Sequence, residues 1–334
     1  MRVVILHNAV PADAPPEDQD TLVQVATIAE SLARLGHEAM PLACDLDLAA
    51  MRRELVRRRP DVVFNLVESL VGADSLVYLP SAVLDVLGIP YAGNRTESLF
   101  LTTHKILAKE RMRHAGLPTP AWLESDDPSH PSYPSHPPHS SRLFRSSYIL
   151  KGVWDQGSRG MDDDAVLGDV TPEELQKKLA ARAAHSGGPC FAEEFIEGRE
   201  FNLSVLAGPN GPEAMPPAEI VFVGFPPAKP RIVGHRAKWQ EDSFEYRHTQ
   251  RRLDFPAADA PLLTQLQELA CRCWTLFHLR GWARVDFRVD AAGRPWILEV
   301  NGNPCLSPDA GFAAAIARAS ISYDTAIDRI LADA

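Results

Sequence analysis

Cysteine is scarce and poorly spaced for structural chemistry: five in 334 residues, an odd number with no CxxC pair, argue against a disulfide framework and a zinc site. Cys271 and Cys273 are expected as reduced side chains on a helix. Long apolar runs are also missing. The first one, Val3 to Leu6, is far too short for a secretion signal or a membrane span, so a cytoplasmic protein without a membrane partner is expected. Positive charge is not in excess. With 34 Lys and Arg against 44 Asp and Glu, the net charge of −10 leaves no electrostatic footprint for nucleic acid. The glycine fingerprints of nucleotide binding are lacking as well: no GxGxxG occurs, and Gly152 to Gly157 is followed by Ser158-Arg159 where a Walker A loop needs Lys-Ser/Thr.

What is present is enough apolar sequence, 45%, to bury a large core in two or three domains. The first segment alternates strand and helix signals. RVVIL is followed by Thr21 to Leu35, where Leu22, Val25, Ile28, Leu32 and Leu35 fall at helical spacing and Gly36 stops them. HEAMPL, Leu48 to Arg59 and DVVFNLV continue the pattern, which predicts a parallel α/β unit. Ser75 to Leu87 predicts a further helix, GIPYAG a strand edge and turn, and Thr96 to Ala115 one helix ended by Gly116 and Pro118. DDPSHPSYPSHPPHSS, residues 126–141, then reads as a surface loop. Its His130, His136 and His139 are separated by prolines, which gives them no frame for holding a metal. SSYIL is a strand ending at Lys151, and Gly208 to Pro230 is a Pro/Gly-rich connection.

The segment RVDFRVDAAGRPWILEVNGNP, from Arg284 to Pro304, carries oxygen-bearing side chains inside two strand-like runs. Arg284, Asp286 and Arg288 share one face, and Ile297, Glu299 and Asn301 share one face of the next strand. A four-residue loop, Ala291 to Arg294, pairs Asp290 with Pro295, Asp286 with Glu299 and Arg284 with Asn301. Pro295 predicts an edge position or an irregular pair at that end. Two readings stand side by side: an oxygen site suited to Mg²⁺, or a ladder in which the arginines neutralise the carboxylates. Lys151 precedes a loop, Asp155 to Gly160, whose Gly157, Ser158 and Gly160 could offer N–H groups to phosphates; Lys105 and Lys238 are further cations. In CFAEEFIEGREFNLSVL, Glu193 and Glu200 flank the apolar pair Phe195-Ile196, which suits either a purine slot or an ordinary edge hairpin.

Taken in order, GIPYAGN, HKILAKERMRHAGLPTP, YILKGVWDQGSRGM, EEFIEGREFNLSVL, RAKW and RGWARVDFRVDAAGRPWILEVNGNP resemble the D-alanine-D-alanine ligase-like branch of the ATP-grasp superfamily over almost the whole chain. The resemblance implies an α/β ATP-grasp fold in three parts. These are an N-terminal Rossmann-like parallel α/β domain over residues 1–94, a small central α+β domain over 95–192 with the 126–141 loop, and a C-terminal α+β domain over 193–334. It implies ATP and Mg²⁺, two ions, with Mn²⁺ as a substitute. Lys105 and Lys151 are then the phosphate lysines, and 155–160 the lid. Glu193, Glu194, Phe195 and Ile196 form the adenine link, Glu200 is the ribose acceptor, and Lys238 lies by the γ-phosphate. Asp286, Glu299 and Asn301 become metal ligands, and Arg284 the oxyanion stabiliser. The implied reaction converts a carboxylate to an acyl phosphate that an amine attacks. An ATP-binding regulatory protein and a phosphotransferase are the alternatives, and a homodimer is the assembly the resemblance implies. The substrate machinery departs from the family. Glu17, Asp18 or Asp20 stands in for the family's glutamate, Glu68 replaces its histidine, His104 an aspartate and Trp239 a tyrosine. Cys305, Ser307 and Asp309 fill the last loop. The expected substrates are therefore a small carboxylate and amine, amino-acid-like, other than a D-alanine pair.

Overall fold

The computed structural model describes residues 1–125 and 147–334, apart from the side chains of Pro16 and Glu17, so the 126–141 segment with its three histidines lies outside the described residues. The first sheet takes the order β2-β1-β3-β4, with β1 (Arg2–Asn8), β2 (Glu38–Cys44), β3 (Val62–Asn65) and β4 (Tyr91–Ala92) all parallel. Its strands read as unbroken apolar runs because both faces are covered. Val3 and Ile5 pack with Ile28 and Leu32 of helix α1 (Pro16–Arg34). Val4 and Leu6 pack with Met51 and Leu55 of α2 (Leu48–Arg58) and Leu84 of α3 (Leu79–Leu87). The helix expected from Ser75 begins instead as a 3-10 turn, Asp74–Leu76, and becomes α-helical only at Leu79, next to Pro80 in its first turn.

The single helix expected from Thr96 is two. α4 (Thr96–Thr103) stops and α5 (Lys105–His114) starts at His104, whose extended backbone (ψ 95°) breaks the run. Its Nδ1 caps α5 by accepting from the Leu107 N–H, and the Lys105 N–H bonds to Val153 O rather than into a helix. A histidine between a Thr pair and a Lys carries no strong stop signal, so the break comes from tertiary contacts. The second sheet, β5-β8-β6-β7, holds β5 (Trp122–Glu124), β6 (Tyr148–Gly152), β7 (Val166–Leu167) and β8 (Cys190–Glu194), with α6 (Pro172–Ser186) packed on it behind a capping box.

The third sheet is antiparallel, in the order β12-β11-β9-β13-β14, with β10 beside β9. It contains β9 (Arg199–Gly208), β10 (Gly211–Ala214), β11 (Ala218–Phe222), β12 (Thr249–Arg252), β13 (Trp282–Val289) and β14 (Pro295–Asn301). Strands β10 and β11 lie in the stretch expected to be a Pro/Gly-rich connection; Pro212, Pro216 and Pro217 mask their pattern. Two short helices, α7 (His235–Trp239) and α8 (Phe244–His248), cross between β11 and β12, and α9 (Ala260–Leu276), with its free Cys271 and Cys273, covers the sheet's apolar face. The last helices, α10 (Gly311–Arg318) and α11 (Tyr323–Ala332), return to the first sheet and share one core with Ile5, Phe64 and Trp282. Asn94 ties the same seam: it accepts from the Arg280 N–H at 2.8 Å and donates to the carbonyls of Trp282 and Gly302.

Candidate active site

The floor of a cleft of about 640 Å³ is the polar face of β9, β13 and β14. Its rows are set by register. Asn202, Asp286 and Glu299 stand side by side, and Ser204, Arg284 and Asn301 form the next row. The sequence register is therefore right at the site and wrong at the turn, where Val289, not Asp290, faces Pro295. A bulge between the two ends absorbs the difference, Asp286 pairing with Glu299 but Phe287 with Ile297. Ile297 consequently turns into the core with Phe287, off the face of Glu299, while the adjacent Leu298 and Glu299 both look into the cleft. β14 is the edge strand that Pro295 predicted, and the irregularity falls at Leu298. Arg284 grips Asp286 with two hydrogen bonds, 2.7 and 2.8 Å, and stands 3.9 Å from Glu299; Asn202 donates to Asp286 at 2.7 Å.

Four lysines enter from other elements. The helix break aims Lys105 at Glu299, 3.4 Å away, and its ammonium donates to Asp155 O at 2.7 Å. Lys151 on β6 and Lys109 on α5 both bond the buried Glu193. Lys238 on α7 also faces the floor. Burial favours the neutral form of Glu299, but Lys105, Lys238 and Arg284 overcome it and hold the carboxyl well below the usual range. Burial likewise opposes ionisation of Glu193, and Lys109 and Lys151 reverse it. Glu200 is paired with Arg288 at 2.6 Å, yet burial outweighs that partner and raises its pKa. Lys109 lies one helical turn beyond Lys105 in KILAK, a legible signal once Glu193 is known to need two counter-charges.

β8 and β9 belong to different sheets, so the Cys190 to Leu206 segment is a crossing between sheets and not an edge hairpin. Glu194 to Ile196 line the cleft along this crossing, with Ile149, Ile232 and Leu298 completing an apolar slot. Gly198 ends it at φ 146°, where a Cβ would collide with the Val289 carbonyl. Over the cleft lies the loop 155–160, turned by left-handed Gly157, Ser158 and Gly160. It is docked on the first sheet's side: Asp74 accepts from the Gln156 N–H at 2.7 Å and from Arg159 at 3.3 Å, and Arg159 also donates to Gly72 O at 3.0 Å. The Trp239 indole donates to Gly157 O at 3.1 Å. Asp74 was missed in the sequence because nothing local distinguishes it from a helix-start acid.

At the far end, Asp20 accepts from Ser307 Oγ at 2.6 Å and from Cys305 Sγ at 3.0 Å. Gln24 donates to Glu68 at 2.9 Å and accepts from the Leu306 N–H. Burial pushes Glu68 up to about 7, against the Gln24 hydrogen bond. Burial and the carboxylates of Glu68 and Asp20 raise the Cys305 thiol far above its ordinary value, so it is a neutral donor. Asp309 lines the cleft, whereas Gly160 and Ser307 stand behind its lining, and the Glu17 side chain is outside those described. Among the described residues no group of three or more His, Cys, Asp or Glu side chains is poised to hold a metal, and no helix is long and apolar enough to cross a membrane.

Residues 167–332 match the family described as D-ala D-ala ligase C-terminus. The chain belongs to the D-alanine-D-alanine ligase-like branch of the ATP-grasp superfamily. This is a family of ATP-dependent, ADP-forming carboxylate-amine ligases. Similarity runs through the whole length: the D-alanine--D-alanine ligase of Aquifex aeolicus is 28% identical over 92% of this chain and 91% of that protein. Protein y4sG of Sinorhizobium fredii is 26% identical over 99% and 96%. The ATP-grasp fold is shared with D-alanine--D-alanine ligase from Bacillus anthracis, at a TM-score of 0.74 and 20% identity over 100% of this chain and 97% of that one.

Proposed function

We propose that the protein uses ATP to join a carboxylate to an amine through an acyl phosphate, on amino-acid-like or small peptide substrates other than a D-alanine pair. The observation that carries this is the convergence of Lys105, Lys151, Lys238 and Arg284, from four different elements, around Glu299 on the cleft floor. So much positive charge in one cleft suits a polyphosphate. The base fits the apolar slot by Phe195, Ile196 and Leu298, with Glu200 accepting from the ribose. Lys105 and Lys151 then reach the phosphates under the 155–160 loop, and Lys238 the terminal one.

Asp286, Glu299 and Asn301 fit a hard divalent cation, because their oxygens share one face and Glu299 is held ionised; phosphate oxygens would complete the shell. Two Mg²⁺ ions, or Mn²⁺, bound there would neutralise charge on the transferred phosphoryl group. In the first step a carboxylate oxygen of the donor bonds to the γ-phosphorus and ADP leaves. The amine nitrogen of the acceptor then attacks the acyl carbon, loses its proton, and inorganic phosphate departs. Arg284 donates to the oxygen on which charge develops in that attack. The docked loop keeps water from the acyl phosphate.

Asp20 and the neighbouring Glu68 suit a donor ammonium group, and Asp309 lies toward the acceptor side. Replacement of the family's histidine by Glu68 supports a substrate pair other than two D-alanines. The test is a screen of paired amino acids and dipeptides for ADP formation, with mass detection of the product. An amide from pairs other than D-alanine, with D-alanine alone inactive, is expected. Efficient D-alanyl-D-alanine synthesis would overturn the substrate reading, and ATP binding without amine-dependent ADP would overturn the ligase reading.

A further inference from the structure

Five arginines line the cleft, and four are committed: Arg159 to Asp74, Arg182 to the Gly160 carbonyl, Arg284 to Asp286 and Arg288 to Glu200. The fifth is Arg251 on β12, which makes no hydrogen bond or ion pair among the described residues. Its sequence neighbour Arg252, on the opposite face of the same strand, is locked onto Glu219. Arg251 reaches toward the start of α10, where a Cβ added to Gly311 would lie 3.7 Å from its Nη2. Its side chain is exposed at the cleft's edge, where the nearby Arg284 guanidinium disfavours its charge and Asp309 favours it. A guanidinium left without a partner between another guanidinium and a single distant carboxylate is a donor fork suited to an incoming anion.

We propose that Arg251 recognises a second anionic group, a carboxylate beyond the α-carboxylate, on the amine substrate, so that the acceptor is a dicarboxylic amino acid or a peptide bearing an acidic side chain. This rests on the ligase reading and on the acceptor lying at the Asp309 end of the cleft.

The test titrates aspartate, glutamate and alanine, each in both hands, into the full-length protein held with ADP and Mg²⁺, and follows heat. Aspartate or glutamate is expected to bind at least about tenfold tighter than alanine, the size of one charge-assisted contact. Arg251→Gln should bring the two classes within about twofold of each other and leave ADP affinity in place, and Arg251→Lys should keep most of the preference. Equal binding of alanine and the dicarboxylates by the unaltered protein overturns the proposal. So does an Arg251→Gln variant that loses alanine to the same extent, which would make Arg251 an α-carboxylate contact, or one that loses ADP, which would make it a phosphate contact. The same samples with ATP are analysed for product mass: Arg251-dependent binding without any amide upholds the subsite and removes the ligase reading, whereas amide from uncharged acceptors only removes the subsite and upholds the ligase.

Discussion

Arg284 is the residue on which two roles can be separated. It holds Asp286 at 2.7 Å, which is what a charge partner would do, and it stands 3.9 Å from Glu299 at the floor's centre. Arg284→Met should keep ATP affinity within a few-fold in Mg²⁺ and lower the amide-forming rate by about two orders of magnitude or more. Loss of ATP binding with a near-normal saturated rate would leave it as a charge partner alone. Glu68 gives a second prediction at this scale. Burial raises its pKa to about 7 in the folded chain, so the folded state binds the proton that the unfolded state has already released. Its favourable contribution is complete below about pH 4.5 and disappears as pH rises through about 7. Glu68→Gln should match the unaltered protein near pH 4.5 and be the more stable near pH 8, by up to about 3 kcal/mol. Urea midpoints at the two pH values measure this, and a pH-independent difference would show that Glu68 is not held protonated.

Among the elements, the 155–160 loop is held in part by one buried carboxylate. Asp74 receives both the Gln156 N–H and Arg159, and it sits in the 3-10 turn that precedes α3. Asp74→Ala should leave the fold intact, because the loop is peripheral to all three sheets, but loosen the cover over the phosphates. The Michaelis constant for ATP is expected to rise about tenfold, the worth of a charge-assisted pair of bonds, and phosphate release to exceed amide formation as water enters. A one-to-one ratio of phosphate to amide in the variant would show that the loop closes without this contact. The element scale also shows what a sequence can reveal. Asp286 opposite Glu299 was legible from local strand alternation and a turn signal only because the bulge at Leu298 cancels the one-residue error at the turn. The bulge at Leu298 and the break at His104 were not, because each is imposed by partners far along the chain, Phe287 across the ladder and Val153 beside α5. Yet these two irregularities bring Leu298 and Lys105 into the cleft.

For the whole molecule, the cleft is assembled from three sheets whose shared seams the sequence does not announce. Trp282 in the third sheet, Phe64 in the first and Ile330 in the last helix share one core, and Asn94 stitches it with hydrogen bonds on both sides. The flanks of the 126–141 segment set a span that can be measured. Its described flanks are β5, ending at Glu124 opposite Phe191, and β6, starting at Tyr148 opposite Glu194, so both strands border β8 from opposite sides. The connection must cross two strand spacings and run back three residues, a span of roughly 14 Å, which a linker of about six residues covers. Replacing 126–141 with a Gly/Ser linker of that length, keeping 142–147, should therefore shift stability by only about 1 kcal/mol, since closure entropy changes by about 0.6 kcal/mol per halving of a loop. ATP turnover with a productive amine should stay within about twofold. A large fall in turnover with the melting temperature unchanged would mean that the proline-histidine segment reaches the cleft and belongs to the substrate machinery; a fall in both would mean that it buttresses the second sheet.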